Sequence, residues 1–117
     1  MIQREYRVIK IGTKYELLID FKDEKLELLS AFLESDVQSF EKKIKMAFDK
    51  IQSGESEYEE VNGNVCCAEI SSRTTKIYDN LAEDAMGNWC EVETWELRNI
   101  IEEWCNEVRK FKTGHHN

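Results

Sequence analysis

The chain has 117 residues, 41% apolar and 34% charged, which suits one domain with a real core and excludes a disordered chain. Its net charge is −8, and no apolar run nears the ~20 residues needed to span a bilayer. The charge is uneven. Residues 1–54 balance at ten acids and ten bases, while residues 55–107 carry fourteen acids against three bases. Such an acidic half repels nucleic acid and anionic membrane and attracts basic proteins.

Residues 5–11 and 14–21 are β-rich runs separated by Gly12-Thr13, and glycine first in a two-residue connection predicts a type II′ hairpin. In the second run Tyr15, Leu17, Ile19 and Phe21 share one face, with Glu16 and Asp20 on the other. Residues 25–33, KLELLSAFL, fit either period. Lys22-Asp23-Glu24 before them resembles another hairpin turn, so a third strand is expected. Residues 36–52 form an amphipathic helix with a stripe of Val37, Phe40, Ile44, Phe48 and Ile51. Ser35 or Asp36 would cap it, and Gly54 would close it. Lys42, Lys43, Lys45 and Lys50 read as its solvated face.

A meander follows. Asn62-Gly63 between residues 57–61 and 64–70 is a strong hairpin signal, and Ser71-Ser72-Arg73 turns the chain again into a strand at 74–78. Residues 89–92 supply one more short strand or bridge. A second amphipathic helix spans 95–111, with Thr94 as its cap and a stripe of Leu97, Ile100, Ile101, Trp104, Val108 and Phe111. Gly114 ends it, and residues 113–117 are expected to fray. The order β-β-(β)-α-β-β-β-α predicts one α+β domain over residues 1–117. It should hold a single, mostly antiparallel sheet of five to six strands with both helices on one face. The amino terminus runs straight into a strand pattern without a signal-peptide segment, so the expected location is the cytoplasm.

The residues give little support to catalysis. The five glycines are scattered, with no phosphate loop, and the only histidines are His115 and His116 in the tail. Cys66 and Cys67 are adjacent and would point to opposite faces of a strand, while Cys90 and Cys105 stand apart. Reduced, largely buried thiols are expected, with no metal, cofactor or catalytic set. Protein binding remains. The stretch DNLAEDAMGNWCEVE combines Asp79, Glu83, Asp84, Glu91 and Glu93 with Trp89, and Tyr78 precedes it. Carboxylates steer basic partners and aromatic rings anchor them, so these seven residues are the candidate partner-binding set. Trp89 could equally fold back to plug the core, and Trp95 has the same two options. Trp104 belongs to the core stripe.

The run TKIYDNLAEDAMGNWCEVETWELRNIIEEW, with its IYD strand, acidic loop, CEVET and L--II--W helix, resembles the C-terminal half of small immunity proteins. Those are the cognate inhibitors of contact-dependent growth inhibition and related polymorphic toxins. The likeness covers about 30 residues, and the N-terminal part matches only in its layout of hairpin and helix. It implies a cytoplasmic, non-enzymatic inhibitor that occludes a basic nuclease toxin, often tRNA-directed, as a monomer binding one to one. The alternative is an acidic structural or regulatory adaptor, homodimeric through a sheet edge or Trp89.

Overall fold

A computed structural model describes residues 2–80 and 88–114. The domain is α+β with antiparallel strands throughout, but the strands make two sheets rather than one. The first is the hairpin of β1 (Arg4–Ile11) and β2 (Lys14–Phe21), in which Tyr6 faces Ile19 and Val8 faces Leu17. Gly12 alone takes positive φ in the connection, at 64°, which is the type II′ pattern.

Residues 25–33 are helical, not a third strand. A 3₁₀ turn, Glu24–Leu26, leads into α1 (Glu27–Ala31), a π-helical turn (Phe32–Val37) and α2 (Gln38–Gln52), with a kink at Phe40. A strand would have put Leu29 and Leu33 on the face opposite Leu26 and Leu28. The helical path buries all four together with Phe32. Lys, Glu, Leu and Ala also favour helix, and the segment has no β-branched residue. The start signal is Asp23, whose carboxylate accepts from the Lys25 N–H at 3.0 Å. With some thirty residues of helix placed between them, β2 and the later strands do not share an edge.

The second sheet is a meander in the order β3 (Tyr58–Asn62), β4 (Cys66–Ser71), β5 (Thr74–Asp79) and β6 (Trp89–Glu93). Its inner face offers Val61, Cys66, Ala68, Ile70, Ile77, Cys90 and Val92 to the helices, all buried. α3 (Thr94–Gly114) closes the core with Leu97, Ile100, Ile101 and Trp104, each contributing on the order of 1.5–3 kcal/mol by burial. Thr94 opens this helix, but its hydroxyl donates to the Ser71 carbonyl at 2.6 Å and lies 2.8 Å from the Thr75 hydroxyl. It ties helix to sheet. The helix continues through Gly114, past the expected fraying point, and residues 115–117 lie outside the described set. Gly54 behaves as expected: it has φ 81°, and its N–H bonds the Ile51 carbonyl at the end of α2.

The base of the hairpin is fastened to α3. Arg4 makes a two-pronged pair with Glu103, at 3.0 and 2.6 Å. The Tyr6 hydroxyl donates to the same carboxylate, and its ring stacks on Trp104. The distal half leaves Val8, Ile11 and Tyr15 exposed. The radius of gyration, 14.4 Å, accordingly exceeds the about 13 Å expected of a compact chain this long.

Asp36, expected at a helix N-cap, lies inside the π-helical turn and is fully buried. Its two oxygens accept from the backbone N–H groups of Asn64 (2.8 Å), Val65 (3.1 Å) and Cys66 (2.7 Å). The carboxylate thus satisfies the amides of the β3–β4 connection. That connection also differs from expectation. Asn62 is still in the strand, opposite Cys67, and the turn is residues 63–65. Gly63 is required there by proximity and not by φ: a Cβ would come within 2.3 Å of the Asp36 carboxyl carbon.

All four cysteines are free and buried, and Cys66 and Cys67 do face opposite sides of β4. Burial pushes the thiol of Cys66 up to about 12, and those of Cys90 and Cys105 to about 11. A raised folded-state value favours the neutral thiol. This stability is therefore complete below the ordinary thiol value of about 8.5 and is lost as pH climbs through 11 to 12. The thermal midpoint should be flat from neutrality to about pH 8.5 and fall steeply above pH 10. A disulfide reagent at neutral pH should label the thiols only at the rate of unfolding. Rapid labelling of all four in the native state would contradict the burial.

Candidate protein-interaction site

Strand alternation sends one set of side chains into the core and leaves the other on the outer face of the four-stranded sheet. No element packs over that face among the described residues. The register orders it in rows across the strands. One row runs Asn62, Cys67, Tyr78, Trp89, and the next runs Glu60, Glu69, Lys76, Glu91. At the far end Tyr58 faces Ser71, and Thr74 faces Glu93. Three aromatic rings and four carboxylates therefore share one surface with a single ammonium.

Trp89 does not plug the core. It is 48% exposed, because in WCEVE it alternates with the inward-facing Cys90 and Val92. The Lys76 ammonium lies over its ring, 4.5 Å from the centroid. Trp95 is also outside, 61% exposed, with its indole N–H donating to the Glu93 carboxylate. Trp104 is fully buried as expected.

The acidic row is costly for folding. Glu60 and Glu69 are directly opposite one another, an arrangement that destabilises an antiparallel pair. Local hydrogen bonds only partly offset it: the Tyr78 hydroxyl donates to Glu69 at 3.1 Å, and the Tyr58 hydroxyl to Glu60 at 3.3 Å. Both phenols are held protonated. Desolvation and then Glu69 and Glu60 push Tyr58 up to about 12. The Cys67 contact, then desolvation and Glu69, raise Tyr78. Beneath them the Cys67 thiol is closed over by its neighbours and donates to Asn62 Oδ1 at 2.8 Å.

Of the seven residues singled out from sequence, Tyr78, Trp89, Glu91 and Glu93 share this face. Asp79 is at the end of β5, opposite Cys66 and so on the core-side parity, with its N–H bonded to the Asn88 carbonyl. Glu83 and Asp84 lie outside the described residues. Sequence reasoning missed Tyr58, Glu60, Glu69 and Lys76. The signal was present: once Val61 and Ile70 are placed inward, parity puts Tyr58, Glu60 and Glu69 outward, beside Trp89.

No cluster of His, Cys, Asp and Glu suited to a metal ion occurs among the described residues, and no described helix is long and apolar enough to cross a membrane. The face offers charge, rings and hydroxyls for recognition. Over 91 residues the chain is 38% identical to a Bacillus cereus protein described as "Immunity protein", covering 78% of each chain. The chain belongs to the immunity protein family. Neither a protein-family model nor a solved structure matches it. The similarity spans most of this immunity protein, well beyond the C-terminal 30 residues that carried the resemblance in the sequence.

Proposed function

We propose that this immunity protein binds and neutralises a cognate toxin domain without catalysis, using the outer face of the four-stranded sheet. The observation that carries the reading is the uncovered row Glu60–Glu69–Lys76–Glu91 beside Trp89 and Tyr78, in a family whose name denotes immunity. A sheet face that keeps like charges opposed at a cost to stability is paid for by a partner of opposite charge. The partner is a basic protein, and a nuclease domain fits best, because a cleft built to hold phosphates is cationic. The contact-dependent growth inhibition class is one source of such toxins. Carboxylates steer the encounter, Trp89 and the tyrosines anchor it, and the bound inhibitor occludes the cleft in a one-to-one complex in the cytoplasm.

Co-expression with the toxin encoded beside the gene tests this. Full survival is expected with the wild-type chain, together with a sedimentation boundary for a one-to-one complex. Survival no better than an empty vector sinks the reading.

A further inference from the structure

The cation on the open face is oddly placed. Lys76 has Glu69 directly opposite on one side and Glu91 on the other, yet it forms no ion pair among the described residues. Its ammonium instead sits over the Trp89 ring at 4.5 Å. Glu91 follows the same ring along β6, two residues on and on the same face. The indole face, with this carboxylate beside it, is a ready-made receptor for a cation. The domain fills it with its own side chain, held on a flexible four-carbon stem that can swing away.

We infer that Trp89 is the seat for a lysine or arginine side chain of the partner, and that Lys76 is the resident cation the partner must displace. This deepens the binding reading above and rests on it. Displacement would release the Lys76 ammonium toward Glu69 or Glu91, its cross-strand neighbours, so the leaving cation gains a partner as the incoming one takes the ring. Lys76 then sets selectivity. A neutral or weakly held side chain cannot evict it, whereas a guanidinium, which stacks on an indole better than an ammonium does, can.

The test separates displacement from simple charge. Lys76→Met and Arg73→Met each remove one positive charge, but only the first vacates the ring. Binding to the toxin domain is measured at about 0.5 M salt, where long-range steering is screened. Lys76→Met should tighten binding about three- to tenfold through slower dissociation, Arg73→Met should leave it unchanged, and Lys76→Arg should weaken it. In a Trp89→Leu background the gain from Lys76→Met should vanish.

A partner-free arm uses acetyl-arginine amide as the probe. The Trp89 indole N–H resonance should shift on titration, and at lower probe concentration in Lys76→Met. Weaker binding by Lys76→Met at high salt, with Trp89→Leu also weaker, would mean that Lys76 itself grips the partner, overturning the inference but not the interface. Indifference of binding to both Trp89→Leu and Glu91→Lys would overturn the interface as well. Thermal melts confirm folding, which these outward-facing substitutions should not disturb.

Discussion

Asp36→Ala is expected to destabilise the domain by about 3 kcal/mol or more, lowering the thermal midpoint by on the order of 10 °C. The carboxylate is fully buried and receives three backbone N–H groups, from Asn64, Val65 and Cys66. Alanine leaves those donors without their acceptor, and an unpaired buried amide such as that of Cys66 costs roughly 1–3 kcal/mol. Asparagine should be a poor rescue, although it keeps the shape. Two acceptor oxygens are in use, and an amide nitrogen would set a donor against the N–H of Asn64 and Val65 or of Cys66. Gly63→Ala attacks the same contact from the other side, since its methyl would lie 2.3 Å from the Asp36 carboxyl carbon. It should cost about 1–3 kcal/mol alone and much less in the Asp36→Ala background, where the methyl enters vacated space. Chemical denaturation of the four chains measures the cycle. An Asp36→Ala loss under about 1 kcal/mol would show that water satisfies the amides and that the carboxylate is not what holds this turn. The consequence reaches the binding face, because this turn sets the β3–β4 register that puts Glu60 opposite Glu69.

Glu60→Lys should move stability and binding in opposite directions. In the free protein it turns a repulsive cross-strand pair into an attractive one, raising stability by about 0.5–1 kcal/mol, or about 2–4 °C. Against a basic toxin it removes one negative charge and adds a positive one at the β3 end of the acidic row. Association at low salt should slow about tenfold or more, an effect that shrinks at about 0.5 M salt. Trp89→Ala should behave differently. Loss of an aromatic anchor costs about 2 kcal/mol, near thirtyfold, mainly as faster dissociation and with little salt dependence. Stopped-flow association and surface-bound dissociation kinetics separate the two signatures. A Glu60→Lys variant that is less stable than the parent would mean the Glu60–Glu69 opposition is already relieved by their tyrosine hydrogen bonds. An unchanged on-rate would move the interface off this face.

Much of this was legible in the chain. The strands β5 and β6, the Gly12 hairpin and the stripe of α3 rest on local signals and formed where those signals place them, while the β3–β4 turn moved on by a residue or two and Ser71 joined β4. Trp89 was half legible. Its alternation with Cys90 and Val92 points it outward, yet a large apolar ring in an acidic stretch also suits a core plug, and periodicity alone does not choose. Residues 25–33 went the other way because leucines at 26, 28, 29 and 33 satisfy both periods. Only the need to bury all of them at once selects the helix.

Asp36 marks the boundary between the two kinds of information. Composition, charge asymmetry, strand parity and helix stripes are properties of neighbours along the chain, and from them the α+β class, the reduced buried thiols and an acidic, aromatic patch around Tyr78 and Trp89 were determined. A carboxylate at position 36 looks locally like a helix cap. That it enters the core to hold amides 28 to 30 residues away depends on which surfaces meet. The same holds for the split into two sheets and for the alignment of Glu60, Glu69, Lys76 and Glu91 into one row, since register across strands is set by the turns and the buried face together.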